Sequence, residues 1–267
     1  MPPVNITSLK NPKIKQALEL RERQFRQESG LTLVEGYREA VCALASSVNV
    51  TALFYCPDFF QEQDCAKLIK QCSDRGGDIY EVSPSVFEKL SYGDRKEGLL
   101  MICRPVQLSL RDLPPKKVPF YVVMEGVEKP GNLGAVLRTC DGAGVDAVIL
   151  AEAATDIFNP NVIRASVGTI FSLPVAMTSN QEALEFLHAR GMMTVAATPT
   201  AKQNYTDMNA KVPLALVLGS EHDGLSSFWL QKADVQVKIP LKGKADSLNI
   251  AASAAVLIYE VVRQKTI

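Results

Sequence analysis

Asn132 and Arg138 stand at and within a stretch marked as a helix entrance, 125–144, EGVEKPGNLGAVLRTCDGAG. Free N–H groups at a helix N-terminus attract phosphate or carboxylate. An arginine one to two turns further in can add a guanidinium fork to such a site, and reads equally as a solvated helix residue. Glu221 is a second candidate, in Gly219-Ser220-Glu221-His222-Asp223-Gly224. Glycines on both sides let backbone approach a ligand closely, and a plain surface acid is the competing reading. Ser247-Leu248-Asn249 is the third. Ser247 suits an N-cap, whereas Asn249 in a first helical turn tends to bond backbone or ligand groups. An ordinary cap with a solvated Asn is the alternative there.

The elements that must position these residues alternate between strand and helix. Residues 120–124 form an apolar strand, Pro130, Gly131 and Gly134 a tight turn, 135–143 a helix ending at Gly144, and 147–150 the next strand. This is a β-turn-α-β unit and implies a parallel sheet. Gly-Asn-Leu-Gly-Ala departs from the Gly-x-Gly-x-x-Gly fingerprint, which weakens a dinucleotide reading. A helix starting at Asn159-Pro160-Asn161, an apolar run 170–175, a helix over 182–190 and a strand over 192–197 follow. Polar residues 199–212 read as loop or short helix. Strand 214–218 then delivers Glu221 to a carboxyl end, where open α/β sheets gather ligands. In 236–264 a strand with Val235, Val237 and Ile239 stops at Pro240. A charged loop holding Gly243 leads to a helix from Ser247, with Leu248, Ala252, Ala255, Val256, Tyr259 and Val262 at helical spacing. Val256 and Tyr259 are expected in the core or a dimer interface.

Residues 5–45 read as polar and helical, with Lys10, Lys13, Lys15, Arg21, Arg23 and Arg26 among acidic residues. The pattern suits an exposed charge-laced helix or a phosphate-contacting patch. Apolar runs at 50–56, 78–82 and 99–103 alternate with helical stretches near 61–75 and 84–90, giving a small α/β unit. Prolines at 105, 114, 115 and 119 mark an interdomain linker over 105–119, between domains 1–104 and 120–267. The 267 residues are 47% hydrophobic, with 29 basic side chains against 29 acidic, so no global field draws the chain to nucleic acid. Six scattered cysteines without a Cys-x-x-Cys pair and only two histidines suggest neither a metal site nor a disulfide framework. No apolar leader or run long enough to span a membrane is seen, which places the chain in the cytoplasm.

Three stretches, 125–144, LVLGSEHDGLS (216–226) and IPLKGKADSLNIAASAAVLIYE (239–260), together resemble the signature motifs of the SpoU family of RNA ribose 2′-O-methyltransferases, in the SPOUT superfamily. NPKIKQALEL, LVEG (33–36) and KEGLLMICRP (96–105) are similar to the small substrate-binding α/β domain of several members. The resemblance implies a C-terminal parallel sheet with helices on both faces, a deep trefoil knot holding S-adenosylmethionine, and a homodimer acting on RNA, ribosomal RNA above all. Carried over by motif, Asn132, Arg138, Glu221, Ser247 and Asn249 match active-site positions. Leu218, Gly219, Ile239, Leu241 and Leu248 match the loops that enclose the methyl donor. Glu125 stands where Asp is usual. A tRNA substrate, a non-catalytic RNA-binding or ribosome-assembly protein on the same fold, and a nucleotide-dependent oxidoreductase are the competing expectations.

Overall fold

The computed structural model describes residues 3–60, 65–92 and 97–266. They fall into two compact units: Met1–Val106 with Asp156–Ser172, and Gln107–Thr155 with Leu173–Ile267.

The first unit begins with β1 (Val4–Ile6), α1 (Pro12–Glu19), α2 (Arg23–Ser29), β2 (Thr32–Glu35) and α3 (Tyr37–Ala45). It continues through β3 (Asn49–Tyr55), α4 (Cys65–Asp74), β4 (Asp78–Val82), α5 (Pro84–Leu90) and β5 (Leu99–Arg104). The expected helix near 61–75 is α4; its first residues, 61–64, and Lys96 of KEGLLMICRP lie outside the described residues. The all-helical reading of 5–45 is corrected, because β1 and β2 interrupt it. The strands lie in the order β1-β4-β3-β5-β2, with β5 antiparallel to both neighbours. Leu33, Phe54, Phe87 and Leu100 fill the core.

The second unit opens with 107–119, which is not a free tether. Leu113 is buried, Leu108 bridges Ala176, and Arg190 and Tyr121 donate to the carbonyl of Pro114. Then come β6 (Phe120–Glu125), α6 (Pro130–Gly142) and β7 (Ala147–Ala151). The chain next enters the first unit with α7 (Pro160–Ala165). There Arg26 Nε donates to Asp156 Oδ2 at 2.7 Å, and Thr32 Oγ1 donates to the Phe158 carbonyl at 2.6 Å. The chain returns as β8 (Val175–Thr178), α8 (Asn180–Ala189), β9 (Met193–Ala197), β10 (Gln203–Asn204), β11 (Leu214–Leu218), α9 (Ser227–Lys232), β12 (Val235–Lys238) and α10 (Ile250–Thr266).

These strands form one parallel sheet in the order β10-β12-β9-β11-β6-β7-β8. β6, β7 and β11 are buried along their whole length, as expected where helices cover both faces of a parallel sheet. Tyr121, Val123, Ile149, Ala196 and Val217 meet Ala183 and Leu187 of α8 and Trp229 of α9 on one face. By strand alternation the other face is left for α6 and α10, which pack against each other and, through α10, on β11. From β6 the chain builds outward to β7 and β8, then crosses to lay β9, β11 and β12 on the other side. The carboxyl ends of β6 and β11 therefore flank the switch point, where open α/β sheets bind their ligands.

Candidate active site at the switch point

Asn132 sits in the first turn of α6, which starts at Pro130. The expected turn through Pro130, Gly131 and Gly134 is corrected: all three are helical, with proline in the position whose missing N–H costs a helix nothing. Glu221 follows β11 in a tight loop, and Asn249 immediately precedes α10. These residues, far apart in sequence, meet. Asn132 Nδ2 donates to Glu221 Oε1 at 2.5 Å, and Asn249 Nδ2 donates to Asn132 Oδ1 at 3.4 Å. The Asn132 amide thus links the ends of two strands to the start of the final helix.

The final helix begins at Ile250, not at Ser247. Asn249 is its cap: Oδ1 accepts from Ala251 N at 2.9 Å, and its carbonyl accepts from Ser253 N. Asn249 therefore lies before the first turn rather than within it, and Ser247 is exposed two residues upstream. Among the described residues, 240–248 make no hydrogen bond, so their backbone donors and acceptors are open to solvent or a ligand. Leu241 and Leu248 are 37% and 38% exposed on this loop, and Ile239 is half-buried at its start.

The Glu221 loop is built for close approach. Leu218 is buried, and a Cβ on Gly219 would lie 2.0 Å from the Gly224 carbonyl carbon. Ser220 and Gly224 exchange backbone hydrogen bonds, and Ser220 Oγ accepts from Asp223 N at 3.1 Å. On the other side, Thr155 Oγ1 lies 2.7 Å from the carbonyls of both Val127 and Glu128, fixing the chain that enters α6.

Arg138 is not brought into this cluster. It is exposed on α6 and has no side-chain partner among the described residues. Six residues separate it from Asn132, about 9 Å along the axis and roughly 120° around it. Val256 and Tyr259 are 36% and 52% exposed, so of the two placements expected for them the core is removed. Two groups lacked a sequence signal of their own. Thr198 and Thr200, whose hydroxyls lie 3.0 Å apart, stand at the carboxyl end of β9, where Thr198 N reaches the Val237 carbonyl of β12. Strand ends are the available clue, but 199–212 reads as a polar loop or short helix with no group singled out. Burial pushes the Cys72 and Cys103 thiols up to about 12, which disfavours the reactive thiolate at both. Among the described residues no group of three or more His, Cys, Asp or Glu could hold a metal.

Residues 119–259 match the SpoU rRNA Methylase family, and 11–101 match the MRM3-like substrate binding domain. The 23S rRNA (guanosine(2553)-2′-O)-methyltransferase RlmP of Bacillus subtilis is 29% identical over 96% of this chain and 98% of its own length. A solved RNA 2′-O ribose methyltransferase is 38% identical, with a TM-score of 0.86 over 99% of this chain and 100% of that one. An AdoMet-bound rRNA methyltransferase from Sinorhizobium meliloti is 29% identical, with a TM-score of 0.89 over 97% of each chain. Both halves match in order, and Asn132, Glu221 and Asn249, which meet at the switch point, lie within the first match. The chain belongs to the SpoU rRNA methylase family.

Proposed function

We propose that this protein transfers a methyl group from S-adenosylmethionine to a ribose 2′-hydroxyl of structured RNA, ribosomal RNA above all. The observation that carries the reading is the Asn132–Glu221–Asn249 contact, which joins all three family stretches at the carboxyl ends of β6 and β11. The bound donor supplies an electrophilic methyl group on a sulfonium. Leu218, Gly219, Ile239, Leu241 and Leu248 are the residues to hold it, chiefly through the unspent backbone groups of 240–248, with Thr198 and Thr200 alongside. The open backbone and the close-packed Gly219 suit such a ligand.

Placement supplies much of the acceleration for so weak a nucleophile as a ribose hydroxyl. Asn132 and Asn249 present amide groups to order the reacting ribose, while Glu221 holds Asn132 in one orientation; Ser247 contributes a hydroxyl on the approach. Arg138 holds the neighbouring phosphate in line. A guanidinium stays protonated, so its role is a fork rather than a base. Its separation from Asn132 suits a homodimer, in which the exposed Val256 and Tyr259 of α10 meet a second copy and Arg138 serves the combined site. The first unit is the RNA-binding part, in keeping with its match to a substrate-binding domain. A knot is supported by the return of α10 from β12, one strand in from the sheet edge, to β11 and the chain before it, where Gln264 Oε1 accepts from Ala210 N and Lys265 Nζ donates to the Val212 carbonyl. No helix among the described residues is long and apolar enough to cross a membrane; a cytoplasmic place, beside its RNA, completes the reading.

Calorimetric titration with S-adenosylmethionine, together with ribose-methylation mapping of total RNA from cells with and without the gene, tests it. Binding and loss of methylation at an rRNA nucleotide are expected. A loss confined to tRNA would move the substrate, and absence of donor binding would remove the enzymatic reading.

A further inference from the structure

Glu125 ends β6 at 5% exposure, yet it carries no part of the site described above. Its carboxylate gathers donors from two elements that otherwise do not touch it. Oε2 accepts from Ser226 N at 2.8 Å, and Oε1 accepts from Ser226 Oγ at 2.6 Å and from Asn180 Nδ2. Asn180 in turn accepts from Trp229 Nε1 at 2.7 Å. The amide has one possible orientation here, since an indole N–H only donates and a carboxylate only accepts.

Ser226 is the N-cap of α9, the position at which a serine hydroxyl ordinarily closes the helix, and it makes no such cap bond. Its hydroxyl is given to Glu125 instead. The local helix forgoes a cap so that the end of the 219–226 loop is tied to the end of β6. Because Gly224 and Leu225 butt against Gly219, a shift at Ser226 is passed directly to the backbone at the end of β11 and to the neighbouring Glu221.

We propose that Glu125 is a positioning residue for the methyl-donor pocket, and that the Glu125–Asn180–Trp229 chain couples pocket occupancy to the environment of the protein's single tryptophan. The inference rests on the reading of this switch point as the S-adenosylmethionine site. Glu125→Gln keeps the shape but turns an amide N–H₂ toward donors. With three donors to satisfy and one remaining acceptor atom, at least one contact is lost. Glu125→Asp keeps the charge one methylene short, and Ser226→Ala removes one donor only.

The test uses the full-length protein, with calorimetric and tryptophan-fluorescence titrations of S-adenosylmethionine and thermal melting of each variant. In the wild type, the donor binds and Trp229 emission changes with the same saturation curve. Glu125→Gln is expected to weaken donor binding about tenfold or more, as for a lost hydrogen bond to a charged group, and to abolish the emission change. Glu125→Asp and Ser226→Ala are expected between these limits while remaining folded. If folded Glu125→Gln, or Glu125→Asp and Ser226→Ala together, bind the donor as the wild type does, the positioning role is overturned even where melting is lowered. Calorimetric binding by the wild type without an emission change overturns the coupling. No calorimetric binding by the wild type overturns the underlying site reading, and this inference with it.

Discussion

Arg138 is exposed and has no side-chain partner among the described residues, so its substitution should leave the fold alone. Arg138→Lys is expected to lower kcat about a hundredfold, because a point charge on a flexible stem loses the bidentate grip that aligns phosphate and hydroxyl. Melting temperature and donor affinity should stay at wild-type values, and near-normal turnover would remove the fork. Asn132, Glu221 and Asn249 were each legible as residue types in suggestive settings. Their mutual contact was not, because bonds spanning 89 and 117 positions depend on strand order rather than local pattern. Glu125 was legible only as a departure from a motif, since nothing in one sequence says that Ser226 and Asn180 share its carboxylate.

At the level of elements, the capping geometry of α10 lets two roles of Asn249 be separated. Asn249→Ala removes the cap and is expected to cost about 1 kcal/mol in denaturant unfolding. Asn249→Asp keeps an oxygen for Ala251 N but loses the amide donor to Asn132. It should restore stability while leaving methyl transfer impaired; full activity in the aspartate variant would show that only the cap matters. The buried strands at 120–124, 147–150 and 214–218 were readable as unbroken apolar runs. Three elements escape the sequence pattern for physical reasons. β1 and β2 have three and four residues, too short for a period to emerge between helices. In α6, the glycines that signal a turn were outweighed by packing: Leu133, Val136, Leu137 and Cys140 are buried, and tertiary contact overrides propensity.

For the whole molecule, the most consequential feature is the excursion of Asp156–Ser172 into the first unit. Arg26 is almost wholly buried, with Asp156 as its ion partner and the carbonyls of Leu20 and Arg21 as its other acceptors. Asp156→Ala leaves that guanidinium without its counter-charge and is expected to cost about 3 kcal/mol, read as a lowered unfolding midpoint of the first unit. A change below about 0.5 kcal/mol, the range of ordinary surface substitutions, would show the pair to be incidental. No periodicity in the sequence could reveal this exchange, since 159–164 reads as a helix wherever it packs.

The chain therefore passes between its two units at 106/107, 155/156 and 172/173. A single recombination point near the prolines would carry off a first unit lacking Asp156, Phe158 and the partners of Tyr92. What looks in linear order like two successive cassettes is interleaved along the chain. Moving the first unit between relatives needs two grafts, one of them seventeen residues long inside the sequence of the second unit, and each is unfinished without the other.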